Sequence, residues 1–335
     1  MITVAVDAMG GDNAPYPEIA GSVLAAKELG VRVILTGPPA VVRAELAKLA
    51  NPSLPVEIAA ASEVITMHDH PAQAFRRKKD STVHVAARLV RDGKADAMVS
   101  AGNTGAVMTV ARFTLGTLPS VDRMALAAPF PNARGGVSVL LDVGANVDSK
   151  PEHLEQFAIM GEIYYRATFG SRKPRVGLLS IGEEQIKGNE LTRAVHERLK
   201  GTDLEFVGNV EGGDIFSGKV DVIVCDGFVG NIALKVCEGL ALQIFFLLKK
   251  SIRSSLASQL GFLFSRSALR GLRKRIDYTE YGGAPLLGLR GVCVIGHGRS
   301  NAKAIMNAIR VAAGLSRART NEKIERGLSA VAAGA

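Results

Sequence analysis

Two stretches of this 335-residue sequence combine a short apolar run, a glycine-containing turn and the start of an apolar helical pattern. They are residues 95–106 (ADAMVSAGNTGA) and 220–231 (VDVIVCDGFVGN), which align without a gap. Glycine lets the backbone approach a ligand closely, and a first helical turn offers free N–H groups and the positive end of the helix dipole. The pattern predicts two turns that face one cleft and hold parts of one anionic substrate. The alternative is that β-turn-α units look alike in any α/β protein.

These turns and one nearby loop supply the predicted anion-binding residues. Lys187 lies in the loop IGEEQIKGN (181–189), where it is either an ordinary loop charge or a cation that reaches an anion at a neighbouring turn. The residues predicted to contact an anion are Asn103, Thr104, Gly105, Gly230 and Asn231, with Lys187 supplying positive charge.

Further residues have both a chemical and a structural interpretation. Cys225 at a strand end could be a nucleophile, but a small buried hydrophobic residue is the favoured interpretation. His68 and His70 suggest a metal pair, yet no third ligand is evident, so no metal site is predicted. The run 76–79 (RRKK) is either a solvated helix face or a set of ligands for phosphate or an acidic partner. His297 could be an acid or base, although no carboxylate partner can be named.

The net charge of +9 is concentrated in one segment, because residues 249–275 contain eight Lys or Arg and no acid. Apolar residues are interspersed with these charges. Such a segment can lie in a membrane interface, bind an acidic partner or bury itself in a dimer. Nucleic acid is less favoured, since no recognised motif and no interleaved aromatic residues accompany the charges. The predicted contact residues for an acidic protein or membrane are Lys249, Lys250, Arg253, Leu260, Phe264, Arg270, Arg273 and Lys274.

The elements that must position these residues follow a β-α-β alternation. Apolar runs at 3–6, 31–36 and 56–59 alternate with apolar helical patterns, which predicts an α/β fold with a mostly parallel sheet flanked by helices. The length predicts one large α/β unit over 1–325, or two lobes around a cleft. An amphipathic basic helical segment protrudes at 240–276, and residues 326–335 form a tail.

Two common nucleotide-binding motifs, GxGxxG and GxxxxGK[ST], are absent from the sequence, and no cofactor is predicted. Three widely spaced cysteines give no disulfide framework, which is typical of a reducing cytosol. The N-terminal MITVAVDAMGG enters a strand directly, so no secretory signal is expected. No run of about 20 apolar residues is apparent, and no segment is expected to span a membrane.

Several pieces of the sequence are specific when they occur together in one order. They are VAVDAMGGDNAP (4–15), KKDS (78–81), SAGNTGA (100–106), DVGAN (142–146), DGFVGN (226–231), GGAPLLGLRG (282–291) and HGRSNAKA (297–304). Together they resemble the bacterial phosphate acyltransferases, which make acyl phosphate from acyl-carrier-protein thioesters and inorganic phosphate. The resemblance covers residues 4–324. It implies a fold related to phosphotransacetylases and isopropylmalate dehydrogenases, a homodimer, and peripheral association of a cytoplasmic enzyme with the membrane.

The resemblance also implies a place in phospholipid synthesis, just before glycerol-3-phosphate acylation. The implied partners are acyl-carrier protein, inorganic phosphate, an anionic membrane surface and the membrane glycerol-3-phosphate acyltransferase. Phosphate would attack the thioester carbonyl, and the oxyanion would collapse to acyl phosphate and a thiol. Backbone N–H groups can hold both anions, so positioning contributes more than a general base. For this chemistry we predict catalytic roles for Lys187 and Asn231.

Three other functions are compatible with parts of the sequence. A CoA-dependent phosphotransacylase would run the same reaction with a different acyl carrier. A dehydrogenase of the isopropylmalate type would need a cluster of acidic metal ligands, which is not evident. A non-enzymatic peripheral membrane or scaffold protein would use the basic segment alone.

Overall fold

The computed structural model describes residues 1–49, 54–171, 173–255, 258–259, 261–262, 264–266, 271 and 282–334. Its strands are β1 (Thr3–Asp7), β2 (Arg32–Gly37), β3 (Val56–Ala60), β4 (Ala97–Ser100), β5 (Ala125–Pro131), β6 (Val137–Leu141), β7 (Arg175–Leu179), β8 (Glu205–Val210), β9 (Val222–Val224), β10 (Ala284–Leu287) and β11 (Val292–Ile295). Its helices are α1 (Tyr16–Leu29), α2 (Pro39–Leu49), α3 (Pro71–Arg77), α4 (Thr82–Arg91), α5 (Thr104–Leu115), α6 (Pro151–Phe169), α7 (Glu190–Lys200), α8 (Asp214–Ser217), α9 (Gly227–Ile252), α10 (Ala302–Arg317) and α11 (Thr320–Gly334).

The strands form one 11-stranded sheet in the order β3-β2-β1-β4-β11-β10-β5-β6-β9-β7-β8. The antiparallel pairings are those of β10 with β11, β10 with β5, and β5 with β6; the other pairings are parallel. We call β3-β2-β1-β4-β11 with its helices the N-lobe, and β6-β9-β7-β8 with its helices the C-lobe. Each lobe is parallel within itself, and the two run in opposite directions. The predicted α/β fold with a mostly parallel sheet is confirmed.

The central strands are buried on both faces, as their composition predicts. β4, β9 and β11 are short runs of mainly apolar residues without polar alternation, and every residue in them is buried. Within β1, Val4 and Val6 face one hydrophobic cluster while Ala5 faces the other. Helices therefore cover both faces of the sheet. A ligand can reach the backbone at the turns where strands end and helices begin.

Helix α9 differs from the other long helices because it is scarcely buried. Only Gly227 and Gly230, in its first turn, are buried. Among the described residues it is the one helix long and apolar enough to cross a membrane by length and composition, with a mean hydropathy of 1.6 over its most apolar window. The expectation that no segment meets this criterion is therefore wrong for α9.

The expected tail at residues 326–335 is largely helical. Helix α11 continues to Gly334 and packs on α6, with Ile324 and Leu328 buried. A side chain at Gly327 would lie 2.7 Å from Ile163 Cδ1, so the two helices approach closely there. The amphipathic spacing of Ile324, Leu328 and Val331 explains why this segment is helical.

Candidate active site

The turn between β4 and α5, residues 100–105, is here called the N-lobe turn. Asn103 caps α5: its side-chain Oδ1 accepts a hydrogen bond from Ala106 N at 3.1 Å. Its Nδ2 donates to the carbonyl oxygens of Met67 (3.1 Å) and Asp69 (3.0 Å). The amides of Thr104 and Gly105 have no acceptor among the described residues. The N-lobe turn thus has a neutral cap and two open N–H groups.

A buried carboxyl group holds the N-lobe turn in place. Asp7, at the end of β1, accepts a hydrogen bond from Ser100 Oγ at 2.7 Å, and Ser100 Oγ accepts one from Gly102 N at 3.1 Å. Burial raises the pKa of Asp7, and the hydrogen bonds it accepts act in the opposite direction. A side chain at Gly10 would come within 2.9 Å of Gly102 N, so glycine is needed where the two loops meet.

The turn between β9 and α9, residues 225–231, is here called the C-lobe turn. Asp226 caps α9, and its Oδ1 accepts hydrogen bonds from Phe228 N and Val229 N, both at 3.0 Å. Gly227 N donates to Asn146 O at 2.8 Å, and Gly230 N donates to Asp226 O at 3.0 Å. The first four amides of α9 are therefore all engaged within the protein.

This arrangement corrects the prediction for Gly230. The sequence pattern placed the helix start at Gly230, whereas α9 begins three residues earlier, at Gly227. Gly230 is therefore an interior helical residue whose N–H cannot bind an anion without breaking a helix hydrogen bond. Its lack of a side chain instead lets α9 pack against the carbonyl oxygen of Asp142.

Asp142, at the end of β6, organises the C-lobe turn and was not predicted as a functional residue. Its Oδ1 accepts from the amides of Leu126 (2.9 Å), Gly144 (3.2 Å) and Ala145 (3.0 Å), and its Oδ2 accepts from Asn146 N at 2.7 Å. Burial raises the pKa of Asp142, and these bonds counteract that shift. In the sequence, the feature that could have indicated Asp142 is its place directly after an apolar strand and two residues before Gly144.

Lys187 and Asn231 lie at the same edge of the C-lobe, since they follow the adjacent parallel strands β7 and β9. Asn231 is exposed in the second turn of α9, with its side chain against Gly144. Lys187 is exposed in a loop where its own amide donates to Glu184 O at 3.0 Å. Asn209 Nδ2 donates to the same oxygen at 2.9 Å, which ties this loop to β8.

Cys225 matches the structural interpretation rather than the nucleophilic one. It is 3% exposed, and its thiol donates to Asp142 O at 3.5 Å. Burial, reinforced by the carboxylates of Asp142 and Asp226, raises the pKa of the Cys225 thiol well above its ordinary value. A thiol in this state is a poor nucleophile near neutral pH.

Between His68 and His70, the two histidines considered as a metal pair, Asp69 has a structural role. Asp69 pairs with Lys78 at 2.6 Å, and this hydrogen bond holds the pKa of Asp69 at about 2. Within the part of the chain that the structure describes, no group of three His, Cys, Asp or Glu could hold a metal ion. His297, the candidate acid or base, is exposed at the end of β11.

The predicted basic contact segment is described only in part. Lys249 and Lys250 form the last turn of α9, Arg253 caps it, and Phe264 is 85% exposed. Leu260, Arg270, Arg273 and Lys274 lie outside the described residues.

Comparison with known proteins gives a consistent result. The family model described as "Fatty acid synthesis protein" matches residues 2–323. The chain is 57% identical to a phosphate acyltransferase of Koribacter versatilis, covering 98% of this chain and 93% of that protein. It is 53% identical to a phosphate acyltransferase of Geobacter sulfurreducens, covering 96% of this chain and 92% of that one. The chain belongs to the phosphate acyltransferase family.

The fold of this phosphate acyltransferase family member has a solved counterpart. A crystal structure of a phosphotransacetylase from Streptococcus pyogenes matches with a TM-score of 0.62 at 17% identity, covering 94% of each chain. At that identity the likeness concerns the fold, and it agrees with the α/β architecture implied by the sequence motifs.

Proposed function

We propose that this protein transfers a long-chain acyl group from the thioester of an acyl-carrier protein to inorganic phosphate. The observation that carries the proposal is the 53–57% identity, over at least 96% of the chain, to proteins named phosphate acyltransferase. The products are acyl phosphate and the free carrier thiol, and the acyl phosphate feeds glycerol-3-phosphate acylation in phospholipid synthesis.

In the proposed reaction a phosphate oxygen forms a bond to the thioester carbonyl carbon. The carbonyl oxygen becomes an oxyanion, the C–S bond then breaks, and the sulfur leaves with the bonding electrons as a thiolate that takes up a proton. The protein must hold a dianion and then an oxyanion, which oriented N–H groups can do without a covalent intermediate. Cys225, buried and protonated, takes no part.

The N-lobe turn is the better of the two turns for holding phosphate. Its amides at Thr104 and Gly105 are open, and its cap is the uncharged side chain of Asn103. At the C-lobe turn the Asp226 carboxylate already accepts from the amides that an external anion would need. The C-lobe therefore contributes through side chains, and we propose that Lys187 and Asn231 supply charge and hydrogen bonds at the reacting groups.

The sheet geometry supports a shared cleft for these residues. β4 and β9 run in opposite directions and are separated by five strand-to-strand steps. A twist of about 20° to 25° per step accumulates to roughly 100° to 125° over that distance. The carboxyl ends of β4 and β9 then point about 55° to 80° apart rather than in opposite directions. We propose that one extended substrate between the lobes contacts both turns.

The exposed surface of α9 supports the proposed assembly. Its large apolar residues are solvent-accessible in the single chain, among them Val236 (62% exposed), Leu240 (58%) and Phe246 (61%). We propose that a second copy of the chain covers part of this surface, giving a homodimer. Lys249, Lys250 and Arg253 then border a region that meets an anionic membrane surface, so the cytoplasmic enzyme associates peripherally with the membrane.

The first test is an acyl-phosphate assay with a long-chain acyl-carrier protein and phosphate, in which hydroxylamine traps the product. The proposal predicts hydroxamate that depends on phosphate. Product from acyl-CoA but not from the acyl-carrier protein would indicate the CoA-dependent alternative. No product from either donor, with protein shown to be folded, would overturn the proposal in favour of a scaffold or another enzyme.

A further inference from the structure

One surface patch combines an exposed aromatic ring with unpaired cations and has no role in the reaction described above. It consists of Arg76 and Arg77 at the end of α3, Lys79 just after it, and Arg112 and Phe113 on α5. We call these five residues the α3–α5 patch.

The aromatic centre of the patch is exposed and packs against a second ring. Phe113 is 66% exposed, and its ring centroid lies 5.1 Å from that of Phe75. Phe75 in turn stacks on His84 with centroids 5.3 Å apart, and His84 is buried. Burial lowers the pKa of His84 to about 4, so His84 adds no charge to the patch at neutral pH. A fixed, exposed aromatic ring is the kind of residue that anchors protein interfaces.

The cations around this ring lack acidic partners. Within the described parts of the chain, Arg76, Arg77, Lys79 and Arg112 form no ion pair with a carboxylate. Their neighbours differ, since Lys78 pairs with Asp69 at 2.6 Å and Arg88 with Asp80 at 3.3 Å.

Two of the cations are instead directed onto the aromatic rings. Lys79 Nζ lies 4.0 Å from the centroid of Phe75, and Arg112 Cζ lies 5.8 Å from that of Phe113. Cation–π contacts hold a cation in place without neutralising its charge. Since no carboxylate among the described residues pairs with these cations, the patch presents positive charge to an external acidic group.

The patch is also connected to the N-lobe turn, because α5 begins at that turn and α3 begins beside it. Phe113 is nine residues beyond Thr104 on the same helix, about 13.5 Å along its axis. α3 begins at Pro71, and a side chain at Gly105 would lie 2.9 Å from Pro71 Cγ, so the two helices start side by side. A protein bound on the patch would have the open amides of the N-lobe turn within reach of a flexible prosthetic arm.

From these observations we propose that the α3–α5 patch is the docking surface for an acidic protein that carries the acyl thioester. This inference rests on the proposed function and names the surface of this chain on which the acyl carrier would dock. Compact positive charge around a single aromatic anchor fits an acidic protein surface better than a lipid surface, because membrane insertion needs a larger apolar area. It assigns carrier docking to α3 and α5 rather than to the basic segment after α9.

The test compares a carrier-bound donor with a carrier-free one. The ratio of kcat/KM for a long-chain acyl-carrier protein to kcat/KM for the same acyl thioester of pantetheine isolates the contribution of docking. In Arg76→Glu/Arg77→Glu this ratio should fall at least tenfold, and in Phe113→Ala severalfold. Raising the salt concentration should lower the ratio in the native protein and have little effect on the double variant, since the attraction is screened.

A matched control makes the same charge change elsewhere on the N-lobe. Lys27→Glu/Arg43→Glu alters two exposed cations on α1 and α2, and its ratio should stay within twofold of the native value. An unchanged ratio in Arg76→Glu/Arg77→Glu would overturn the inference, as would an equal fall in the control. A fall confined to Lys249→Glu/Lys250→Glu would place docking on the basic segment instead.

A binding measurement separates failure of this inference from failure of the proposed function. Fluorescence anisotropy of a labelled acyl-free carrier protein needs no turnover, and the Kd should rise at least tenfold in the double variant. Tight carrier binding that is lost in this variant would support the docking surface even if the enzyme made no acyl phosphate. Loss of binding to vesicles containing anionic lipid, with the Kd for the carrier unchanged, would identify the patch as a membrane contact and overturn the inference.

Discussion

The N-lobe turn and the C-lobe turn share a β-turn-α pattern but differ in the residue that caps the helix. Asn103 caps α5 with a neutral amide and leaves two amides open, whereas Asp226 caps α9 with a carboxylate that occupies two amides. A helix N-terminus attracts one negative group, and a side chain can supply that group as well as a ligand can. The comparison shows that the cap residue, more than the glycine spacing, determines whether the first amides of such a helix stay open.

The largest expected effect concerns the side chains of the C-lobe. If that lobe acts through side chains, then Lys187→Ala and Asn231→Ala should each lower kcat by about 100- to 1,000-fold, the usual effect of losing an oxyanion or phosphate contact. Steady-state kinetics with thermal melting would measure both activity and folding. Lys200→Ala, a solvent-exposed control on α7, should retain activity. A near-normal rate in either test variant would remove that residue from the reaction.

The buried carboxyl groups of the two lobes also differ, and this difference predicts a pH effect on stability. Asp142 accepts several N–H bonds, whereas neither side-chain oxygen of Glu18 on α1 has a partner among the described residues. Burial, reinforced by Asp7 and Asp12, raises the pKa of Glu18 from 4.5 to about 7. Between these values the folded state keeps a proton that the unfolded state releases, so stability falls as the pH rises from about 4.5 to about 7.

Glu18→Gln removes this proton uptake. The variant should be more stable than the native protein at pH 8, by up to about 3 kcal/mol, and similar to it at pH 4. Urea unfolding at both pH values would measure the difference in the free energy of unfolding. Equal stability of the two proteins at pH 8 would show that the Glu18 carboxyl group is solvated in the folded state.

Changing the N-lobe cap to match the C-lobe cap tests the comparison directly. Asn103→Asp keeps an acceptor for Ala106 N but places a negative charge beside the open amides, so the KM for phosphate should rise about tenfold. Asn103→Ser, which keeps a neutral cap and also loses the bonds to Met67 O and Asp69 O, separates charge from anchoring. Equal phosphate KM values in the two variants would argue against phosphate binding at the N-lobe turn.

The smallest expected effect concerns the loop that holds Lys187. Asn209 Oδ1 accepts a hydrogen bond from His196 Nδ1 at 3.0 Å, and Asn209 Nδ2 donates to Glu184 O at 2.9 Å. Asn209→Asp cannot donate to that carbonyl, so the loop should loosen and kcat should fall about fivefold, within the range for one lost hydrogen bond. Hydrogen exchange of residues 181–189 should accelerate in parallel. Unchanged exchange would show that Asn209 does not position this loop.

The sequence was sufficient to predict a mostly parallel sheet, because the parallel strands are apolar runs that end at a glycine or an acidic residue. It was insufficient for the start of α9, because residues 226–229 were predicted to form the glycine turn before the helix. The capping bonds from Phe228 N and Val229 N to Asp226 are visible only in three dimensions. β10 was also missed. Its four residues lie among glycines, and its strand conformation depends on antiparallel pairing with β5 and β11. Of these two partners, β5 is distant in the sequence.

For the candidate site, the sequence pointed to some of the residues near the turns and missed others. Lys187 was predicted from its loop after β7 and Asn231 from the turn after β9, and both positions follow adjacent parallel strands of the C-lobe. Their roles in the reaction stay predictions. Asp142 was missed because its function is to accept backbone hydrogen bonds, and a sequence pattern does not reveal which amides converge on one carboxylate.

The position of β10 and β11 in the middle of the sheet affects how the protein folds while it is being translated. Both strands come late in the chain, yet they lie between β4 and β5. On the ribosome, β4 therefore presents an unpaired edge until β11 emerges, while β5 to β9 can already assemble the C-lobe. The lobe that is translated first is the last to be completed. The nascent N-lobe is thus the part of this chain with the longest exposure to chaperones and to misassociation.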